Sequence, residues 1–523
     1  MDRQTRVAML MDHQKRPRHR GPLPDADVRM PGGNPGCGDV VTLHLRADGD
    51  RLAELTFEGE GCTISQAAAS ILAQRMNREQ PSFREILELD YEEMIELLGR
   101  DIVGSRPRCA TLALGTLKRR ATLDAVLRAF LLRPGKPLPA AVETTLHLAL
   151  YQILLLDRVP AFAAVNEAVN RARRAGKAFA SLANGVLRSV VRDLAEPEEG
   201  PIPAARNIIP IGYRRFRRIG RDVFPDPDRH PAAYVAAAYS LPEELTARWL
   251  KQFGSLKKTA EVALYADLVA PLICRVNPLL AAPAEILAEL REQGVDARMH
   301  ANGVSIVITE GVDVTRLDAF QRGAIQPQDA GATFVGLQAN PSPGMRVMDF
   351  CAAPGTKTTH LAEMMRNKGQ ITAVDVSPEK LARVEENVRR MGVEIVDTQL
   401  ADFVGGLEAQ SYDLVLVDAA CSNTGVLARR PEARWRFSAG RLAQLVADQQ
   451  FLAAAGAGFV RPGGRLVYSV CSIEPEEGGR IAHSLENRLD HVRLVREQLY
   501  LPEASDDPAL WQDGGYVAIL EVR

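Results

Sequence analysis

Four short apolar runs between residues 347 and 477 constrain the fold more than any other feature of the chain. Each run is rich in β-branched residues and ends in small or acidic residues, as a strand does where it meets a functional loop. Segments of helix length, such as residues 378–391, separate the runs. This alternation predicts an α/β domain with a mostly parallel sheet, which binds ligands at the carboxyl ends of its strands.

The first run leads into a tight turn of small residues. The turn comprises Cys351, Ala352, Ala353, Pro354, Gly355, Thr356 and Lys357. Small side chains let the backbone approach a ligand closely, and Gly355 permits dihedral angles that other residues resist. The segment has neither the GxGxxG dinucleotide fingerprint nor the GKS or GKT of a phosphate-binding loop. A ligand with a carboxylate or a sulfonium group therefore suits it better than a triphosphate.

Acidic residues close two of the following predicted strands. Asp375 ends the run ITAVD, a position from which an acid typically holds the two hydroxyl groups of a ribose. Asp402 lies at the end of the next strand, where it could reach an adenine amino group. Either acid could instead cap a helix or lie in a solvated loop, but the alignment of four strand ends favours a ligand site.

Residues from about 239 to 523 resemble the RsmB/NOL/NSUN family of RNA 5-methylcytosine methyltransferases. The matching segments are CAAPGTK, VDVS, VDAACSNTGV and SVCSIEPEE, in the family's order and spacing, with PLICRVN and QPQD upstream. The resemblance implies a small subdomain over residues 239–335 and a Rossmann-like catalytic domain over residues 336–523. It also implies S-adenosylmethionine as cofactor, with its amino-acid part at the turn, Asp375 on the ribose, Asp402 near the adenine and Asp418 beside the reacting groups.

The proposed chemistry requires a thiolate and an acid. Carbon 5 of cytosine becomes nucleophilic only after sulfur adds to carbon 6, and an acid must stabilise charge at nitrogen 3. By resemblance, Cys471 is the nucleophile, Cys421 assists product release and Asp418 contacts the base. An isolated cysteine is more often a small core residue, but both cysteines lie in matching motifs. The matching motifs differ from the usual family residues at Thr356, Ala420 and Asn423. These differences remove no reactive group.

Three cysteines and an aspartate mark residues 1–120. Cys37 and Asp39 lie in NPGCGD, Cys62 lies in GEGCTIS, and Cys109 follows SRPR. Thiolates with a carboxylate suit zinc or an iron–sulfur cluster. The region resembles the α+β IscU/NifU/SufU scaffold family, which implies a metal site at these four residues and a cysteine desulfurase as a partner. The alternative is a scaffold fold without metal, and Cys109 also lies where an RsmB-type N-terminal domain begins.

Local patterns predict secondary structure on both sides of that junction. Residues 40–45 and 51–57 alternate as in a hairpin, and residues 65–76 read as a helix. Residues 121–197 carry apolar side chains at helical spacing and resemble a truncated all-α NusB-like RNA-binding domain. We expect RNA contact from its basic residues, although such a cluster is often only a solvated face; they are Arg171, Arg173, Arg174, Lys177, Arg188 and Arg192.

Two further basic stretches are candidates for RNA contact. Residues 198–238 are predicted to be a basic linker, in which residues 206–221 contain six arginines and no acid. These arginines could pair with phosphates, or the segment could be a solvated tether. Four arginines around Trp435, namely Arg429, Arg430, Arg434 and Arg436, follow the DAACS loop, where aromatic and basic residues suit single-stranded RNA. The alternative is that Trp435 packs in the core.

Composition narrows the functional class. A net charge of −2 gives no global attraction for nucleic acid, seven unevenly spaced cysteines in 523 residues indicate a reducing cytoplasm, and no apolar run is long enough to span a membrane. The combined hypothesis is a multidomain enzyme that methylates carbon 5 of a cytidine in RNA, with 16S ribosomal RNA as expected target. The alternative is an iron–sulfur assembly scaffold, or a zinc-dependent sulfur acceptor, that carries a methyltransferase domain.

Overall fold

The computed structural model describes residues 19–34, 39–48, 51–60, 107–157, 159–309, 312–401 and 406–523. The chain divides into two compact units, Met1–Lys251 and Gln252–Arg523. Within the described ranges, no helix combines the length and the apolar character needed to cross a bilayer.

The first unit begins with an antiparallel sheet. Its strands, in spatial order, are β1 (Val28–Asn34), β2 (Asp39–Asp48) and β3 (Arg51–Glu60). The predicted hairpin is confirmed, since β2 and β3 pair from Asp48 opposite Arg51. Leu55 and Phe57 of β3 are buried, which accounts for the alternation in the sequence. The helix predicted over residues 65–76 lies outside the described residues.

Five α-helices follow between Pro107 and Asp193, in the described part of the first unit. They are α1 (Pro107–Lys118), α2 (Arg120–Phe130), α3 (Ala140–Leu155), α4 (Ala161–Ala172) and α5 (Lys177–Asp193). The predicted helical character of residues 121–197 is confirmed as far as Asp193. In α2, Leu123, Val126, Leu127 and Phe130 are buried, and this spacing of three and four residues places them on one face.

The segment predicted as a basic linker is folded over much of its length. This part of the chain forms a three-stranded antiparallel sheet and then two helices. These elements are β4 (Leu194–Glu199), β5 (Ile208–Gly212), β6 (Arg215–Ile219), α6 (Pro231–Ala238) and α7 (Glu243–Phe253). Ile208, Ile209, Phe216 and Ile219 are buried, so these apolar residues, rather than the charges between them, determine the local structure.

The arginines of this segment pair with acids from their own unit. Arg215 contacts Asp157 at 3.1 Å, Arg218 contacts Glu198 at 2.7 Å and Arg221 contacts a side-chain oxygen of Asp193 at 2.7 Å. The six-arginine run is therefore much less basic in three dimensions than in sequence. It offers correspondingly less charge to a phosphate backbone.

The second unit begins with a small α/β layer. Its elements are α8 (Leu256–Asp267), β7 (Leu272–Val276), α9 (Pro283–Glu292), β8 (Ala297–Met299), β9 (Ser305–Ile308), α10 (Asp318–Gln321) and β10 (Ile325–Pro327). The strands form an antiparallel sheet in the order β10-β7-β9-β8. Ile286 and Leu290 of α9 pack with Ile306 and Ile308 of β9 in one core.

A seven-stranded mixed sheet with helices on its faces makes up the rest of the unit. Its strands are β11 (Arg346–Phe350), β12 (Gln370–Asp375), β13 (Val396–Leu400), β14 (Tyr412–Asp418), β15 (Val460–Val470), β16 (Val492–Tyr500) and β17 (Gly515–Val522). The helices are α11 (Ala330–Ala339), α12 (Thr356–Met364), α13 (Pro378–Arg390), α14 (Ala433–Arg436), α15 (Ala439–Ala457) and α16 (Gly479–Arg488).

The strand order is β13-β12-β11-β14-β15-β17-β16. The first five strands are parallel, and β17 is antiparallel to both of its neighbours. Val415 and Val417 join one buried cluster while Leu414 and Leu416 join another. Because both faces of β14 are covered, its sequence is continuously apolar rather than alternating. The predicted α/β class is confirmed, and the chain order reverses between β11 and β14, where such sheets bind ligands.

Candidate active site

The turn after β11 folds back on the end of β12. The amides of Cys351 and Ala352 both donate to the carbonyl of Val374, at 3.0 and 2.9 Å. Cys351 and Gly355 have φ angles of 96° and 94°. A Cβ atom on Gly355 would lie 3.1 Å from the Cα atom of Val384, so both the conformation and the close approach to α13 favour glycine there.

Asp375 connects this turn to β12. Its side chain is buried, and it accepts the amide of Ala353 at 3.1 Å and the amide of Val376 at 2.8 Å. A carboxylate has about four acceptor positions, so two remain for a ligand's hydroxyl groups. Asp402, predicted to reach an adenine, lies outside the described residues.

A buried lysine faces the acid at the end of β14. The Nζ atom of Lys357, in the first turn of α12, lies 2.5 Å from Oδ2 of Asp418, and the Oγ of Ser469 donates to Oδ1 at 2.6 Å. Burial alone would lower the pKa of Lys357, but the carboxylate of Asp418 raises it. Lys357 was expected only in the cofactor turn, and its pairing with Asp418 gives it a second role in the site.

Both predicted reactive cysteines lie at the same edge of the sheet and are half-buried. Burial raises the pKa of the Cys471 thiol to about 12, while the charge of Lys357 acts to lower it and that of Asp418 to raise it. Burial also raises the pKa of Cys421 well above its usual value, and the neighbouring Cys471 adds to this effect. The structure therefore brings both cysteines, Asp418 and Lys357 into one electrostatically connected group.

Hydroxyl groups connect the two cysteine loops. The Oγ of Ser472 lies 3.1 Å from that of Ser422 and 3.0 Å from Oγ1 of Thr424. The amide of Gly425 donates to the carbonyl of Cys471 at 3.1 Å. These contacts fix the loops after β14 and β15, which carry Cys421 and Cys471, relative to each other.

A buried glutamate supports the first of these loops. Glu477 accepts the amide of Ser422 at 2.8 Å and Nε2 of Gln449 at 3.0 Å, and Gln449 also donates to the carbonyl of Ala420 at 2.8 Å. Glu477 and Gln449 are fully buried. No role was expected for the acids of the EPEE motif, which includes Glu477. The feature of the sequence that could have indicated one is the position of this acid shortly after the reactive Cys471.

An arginine from the small sheet holds helix α12. Arg275 of β7 donates to Glu363 through Nε at 2.8 Å and Nη2 at 2.7 Å. It also donates to the carbonyl of Thr356 at 3.0 Å and to Oγ1 of Thr359 at 3.1 Å. Both charged side chains are only 1% exposed. The arginine lies in the PLICRVN segment, which matches the family pattern but had no function assigned to it.

The basic stretch after the DAACS loop is largely structural. Arg434 is fully buried and contacts Asp267 at 3.0 Å, and Arg429 contacts Asp513 at 2.5 Å. Two of the four arginines expected to contact RNA therefore form ion pairs inside the unit. Arg430, unlike Arg429 and Arg434, is exposed to solvent.

The basic residues predicted to contact RNA in the helical segment are exposed, namely Arg171, Arg173, Arg174, Lys177, Arg188 and Arg192. The last two line a groove of about 340 Å³ between α4 and α5, together with Phe162, Val165, Asn166, Val169, Asn184 and Val191. The side chain of Phe162 is 77% exposed. An exposed aromatic ring between cationic and amide side chains is an arrangement that suits unpaired bases.

The predicted N-terminal metal residues remain a prediction. Cys37 and Cys62 lie outside the described residues. Asp39 is the first residue of β2 and Cys109 lies in α1. The structure therefore places two of the four positions on regular elements.

Comparison with known proteins gives three family matches. The model described as 16S rRNA methyltransferase RsmB/F matches residues 337–506, the NusB family model matches residues 65–192, and the NifU-like N-terminal domain model matches residues 6–123. The last two matches overlap over residues 65–123.

Individual relatives agree with the first match. The chain is 31% identical over 378 residues to the probable ribosomal RNA small subunit methyltransferase B of Bacillus subtilis, covering 71% of this chain and 78% of that protein. It is 30% identical over 423 residues to ribosomal RNA small subunit methyltransferase B of Pseudomonas putida, covering 80% and 90%. The crystal structure of PH0851 shares the fold at 24% identity, with a TM-score of 0.59 over 86% of this chain and 94% of that one.

Proposed function

The chain belongs to the RsmB family of S-adenosylmethionine-dependent ribosomal RNA methyltransferases, and we propose that it methylates carbon 5 of a cytidine in 16S ribosomal RNA. The observation that carries this proposal is the group formed by Cys471, Cys421, Asp418 and Lys357 at the ligand-binding edge of the sheet. Methylation of an exocyclic amine or a ribose hydroxyl needs no thiol beside the base, whereas methylation at carbon 5 does.

The residues near the turn fit S-adenosylmethionine. Asp375 has free acceptor positions for a ribose, and the turn brings backbone amides close to it. Oδ1 of Asp349 is buried without a hydrogen-bond partner, and burial raises the pKa of this acid to about 7. A buried unpaired acceptor among acids suits a cationic ligand. When bound, S-adenosylmethionine supplies an electrophilic methyl group on a positively charged sulfur.

The protein's own groups would divide the remaining work. In the proposed step, the sulfur of Cys471 bonds to carbon 6 of the cytosine, the thiol proton passes to the carboxylate of Asp418, and the electron pair displaced from the bond between carbons 5 and 6 places negative charge at nitrogen 3. Asp418 is the acid that would exchange a proton with that nitrogen. Lys357 favours the thiolate of Cys471 electrostatically, against the effect of burial. Release of the methylated base requires loss of the carbon 5 proton and cleavage of the sulfur–carbon bond. We propose that Cys421 assists this release.

The reacting base must be unpaired or flipped out of its stack, because neither face of a stacked ring is open to a side chain. The helical segment supports RNA binding through its NusB family match and its groove with the exposed Phe162. We therefore propose that α4 and α5 hold a single-stranded part of the RNA while the target base enters the catalytic site.

Cysteine variants test the proposal. We expect Cys471→Ala to abolish methyl transfer to 16S ribosomal RNA and Cys421→Ala to accumulate a covalent protein–RNA adduct, detected as a species that survives denaturing electrophoresis. Cys274→Ala is the matched control, because Cys274 is a buried core cysteine of β7 and should leave methylation intact. Bisulfite sequencing reads the product directly. Full activity of Cys471→Ala would refute the assignment.

The NifU-like match supports a second proposal for the N-terminal segment. There we propose that Cys37, Asp39, Cys62 and Cys109 bind zinc or an iron–sulfur cluster. Purified protein should then contain metal, of which the share bound by the cysteine site is lost in Cys62→Ala but kept in Cys274→Ala. Protein purified under anaerobic conditions without zinc or iron would contradict it.

A further inference from the structure

Three metal-ligating side chains, none of them a cysteine, meet on the helical part of the first unit. Asp124 of α2 and Glu143 and His147 of α3 each offer one ligand atom, and these atoms lie within 4.8 Å of one another. Glu143 and His147 are four residues apart, so they lie on the same face of α3. The fold adds Asp124 from the helix packed beside them.

The histidine has an unsatisfied nitrogen in this cluster. His147 is 8% exposed, and its Nε2 is buried with no hydrogen-bond partner. The nearest oxygen of Asp124 is 3.9 Å away, which is beyond hydrogen-bond range. A buried polar atom without a partner costs about 1–3 kcal/mol, and an ion between Nε2 and the carboxylates would remove that cost.

The surroundings of Asp124 suit a metal ligand. Its Oδ2 accepts a hydrogen bond from Nε of Arg128 at 2.7 Å, while Oδ1 is the oxygen that faces His147. A ligating carboxylate is commonly held in this way by a hydrogen bond to its second oxygen. The ligating form of a histidine is the neutral imidazole, whose unprotonated ring nitrogen can face an ion.

The donor set indicates which ion would bind. Two carboxylates and a neutral imidazole carry a charge of about −2, which the ion pair of Asp124 with Arg128 reduces to about −1, so the remaining negative charge attracts a cation. One nitrogen and two oxygen donors match a zinc site whose fourth position is open to water, whereas calcium and magnesium prefer oxygen donors alone. We propose that Asp124, Glu143 and His147 bind a divalent transition-metal ion, zinc by preference, which cross-links α2 and α3.

Cobalt(II) can distinguish this site from the cysteine-containing region. The full-length chain would be stripped of metal with a chelator and titrated with Co²⁺ in a background in which Cys37, Cys62 and Cys109 are replaced by serine. Nitrogen and oxygen donors should give weak visible absorption without the intense near-ultraviolet sulfur-to-cobalt bands that thiolates produce. We expect stoichiometric binding and displacement of Co²⁺ by Zn²⁺.

His147→Gln and Glu143→Gln should each weaken Zn²⁺ binding at least roughly tenfold, since changing only supporting residues costs 10–100-fold. Glu143 is only half-buried, so Glu143→Gln keeps the test informative if His147→Gln fails to fold. The controls are His230→Gln and Glu167→Gln, both at exposed positions of the same unit. Binding at unchanged affinity in both site variants, or no Co²⁺ binding in the serine background, would overturn the proposal.

Discussion

Replacing Arg275 by methionine should strongly destabilise the second unit. The guanidinium and the carboxylate of Glu363 are each 1% exposed and share two hydrogen bonds. Removing one member of a buried ion pair leaves the other charge without compensation, at a cost of about 3–5 kcal/mol. Arg275→Met also removes the donors to Thr356 and Thr359, so we expect the upper part of that range.

The double variant should recover much of this loss. When Glu363→Leu accompanies Arg275→Met, no buried charge remains, and such replacements are often close to neutral. Glu363→Leu alone should cost less than Arg275→Met alone, because the guanidinium keeps the carbonyl of Thr356 and the side chain of Gln328 as partners. The double-mutant cycle should give a coupling free energy of at least about 2 kcal/mol.

Urea-dependent pulse proteolysis, which follows the second unit in the full-length chain, measures this effect. A decrease of about 4 kcal/mol in the free energy of unfolding should lower the urea concentration at the unfolding midpoint by roughly 1–2 M, if the unfolding free energy falls steeply with urea concentration as it does for larger proteins. The matched control is the partly exposed pair of Arg322 and Glu289, also with two contacts, where Arg322→Met should cost less than about 1 kcal/mol.

The pH dependence gives an independent check. Burial raises the pKa of Glu363, and Arg275 opposes the rise. In Arg275→Met the folded form therefore binds a proton at higher pH than the unfolded form does, so stability must fall as pH rises. The reasoning would be refuted if Arg275→Met lowered the free energy of unfolding by less than about 1 kcal/mol, or if it lowered it less at pH 8 than at pH 5.

Three other variants have defined outcomes. Lys357→Met removes the cation that lowers the pKa of Cys471, so the pH–rate profile of methyl transfer should move to higher pH. If the pKa of the thiol rises by about one unit, the rate at neutral pH should fall about tenfold, and an unmoved profile would contradict this role. Phe162→Ala should weaken binding of single-stranded RNA by about 1–3 kcal/mol, whereas Phe451→Ala, also at an exposed phenylalanine, should have no effect in the same fluorescence titration. Gly355→Ala, at φ 94°, should cost about 1–2 kcal/mol of strain and reduce S-adenosylmethionine affinity in calorimetry, while Gly440→Ala, which meets no atom within 4 Å, should not.

Local sequence determined the elements that carry the catalytic site. The apolar runs around Val347 and Leu414 predicted parallel strands because a strand covered on both faces needs apolar side chains throughout. Strand ends in a parallel sheet share one edge, so the order of the motifs already implied that Cys351, Asp418 and Cys471 lie together. The hairpin of β2 and β3 and the helices after Arg120 followed from periodicity in the same way.

Tertiary structure decided which charged residues serve the fold and which face a ligand. Arg275 and Glu363 are 88 positions apart, and Ser422 and Glu477 are 55 apart, so no periodic pattern connects them. Arg434 belongs to a basic run in the sequence and yet is fully buried beside Asp267. Periodicity records which face of an element is buried, whereas an ion pair depends on which distant segment arrives at that face, and only the folded chain supplies that information.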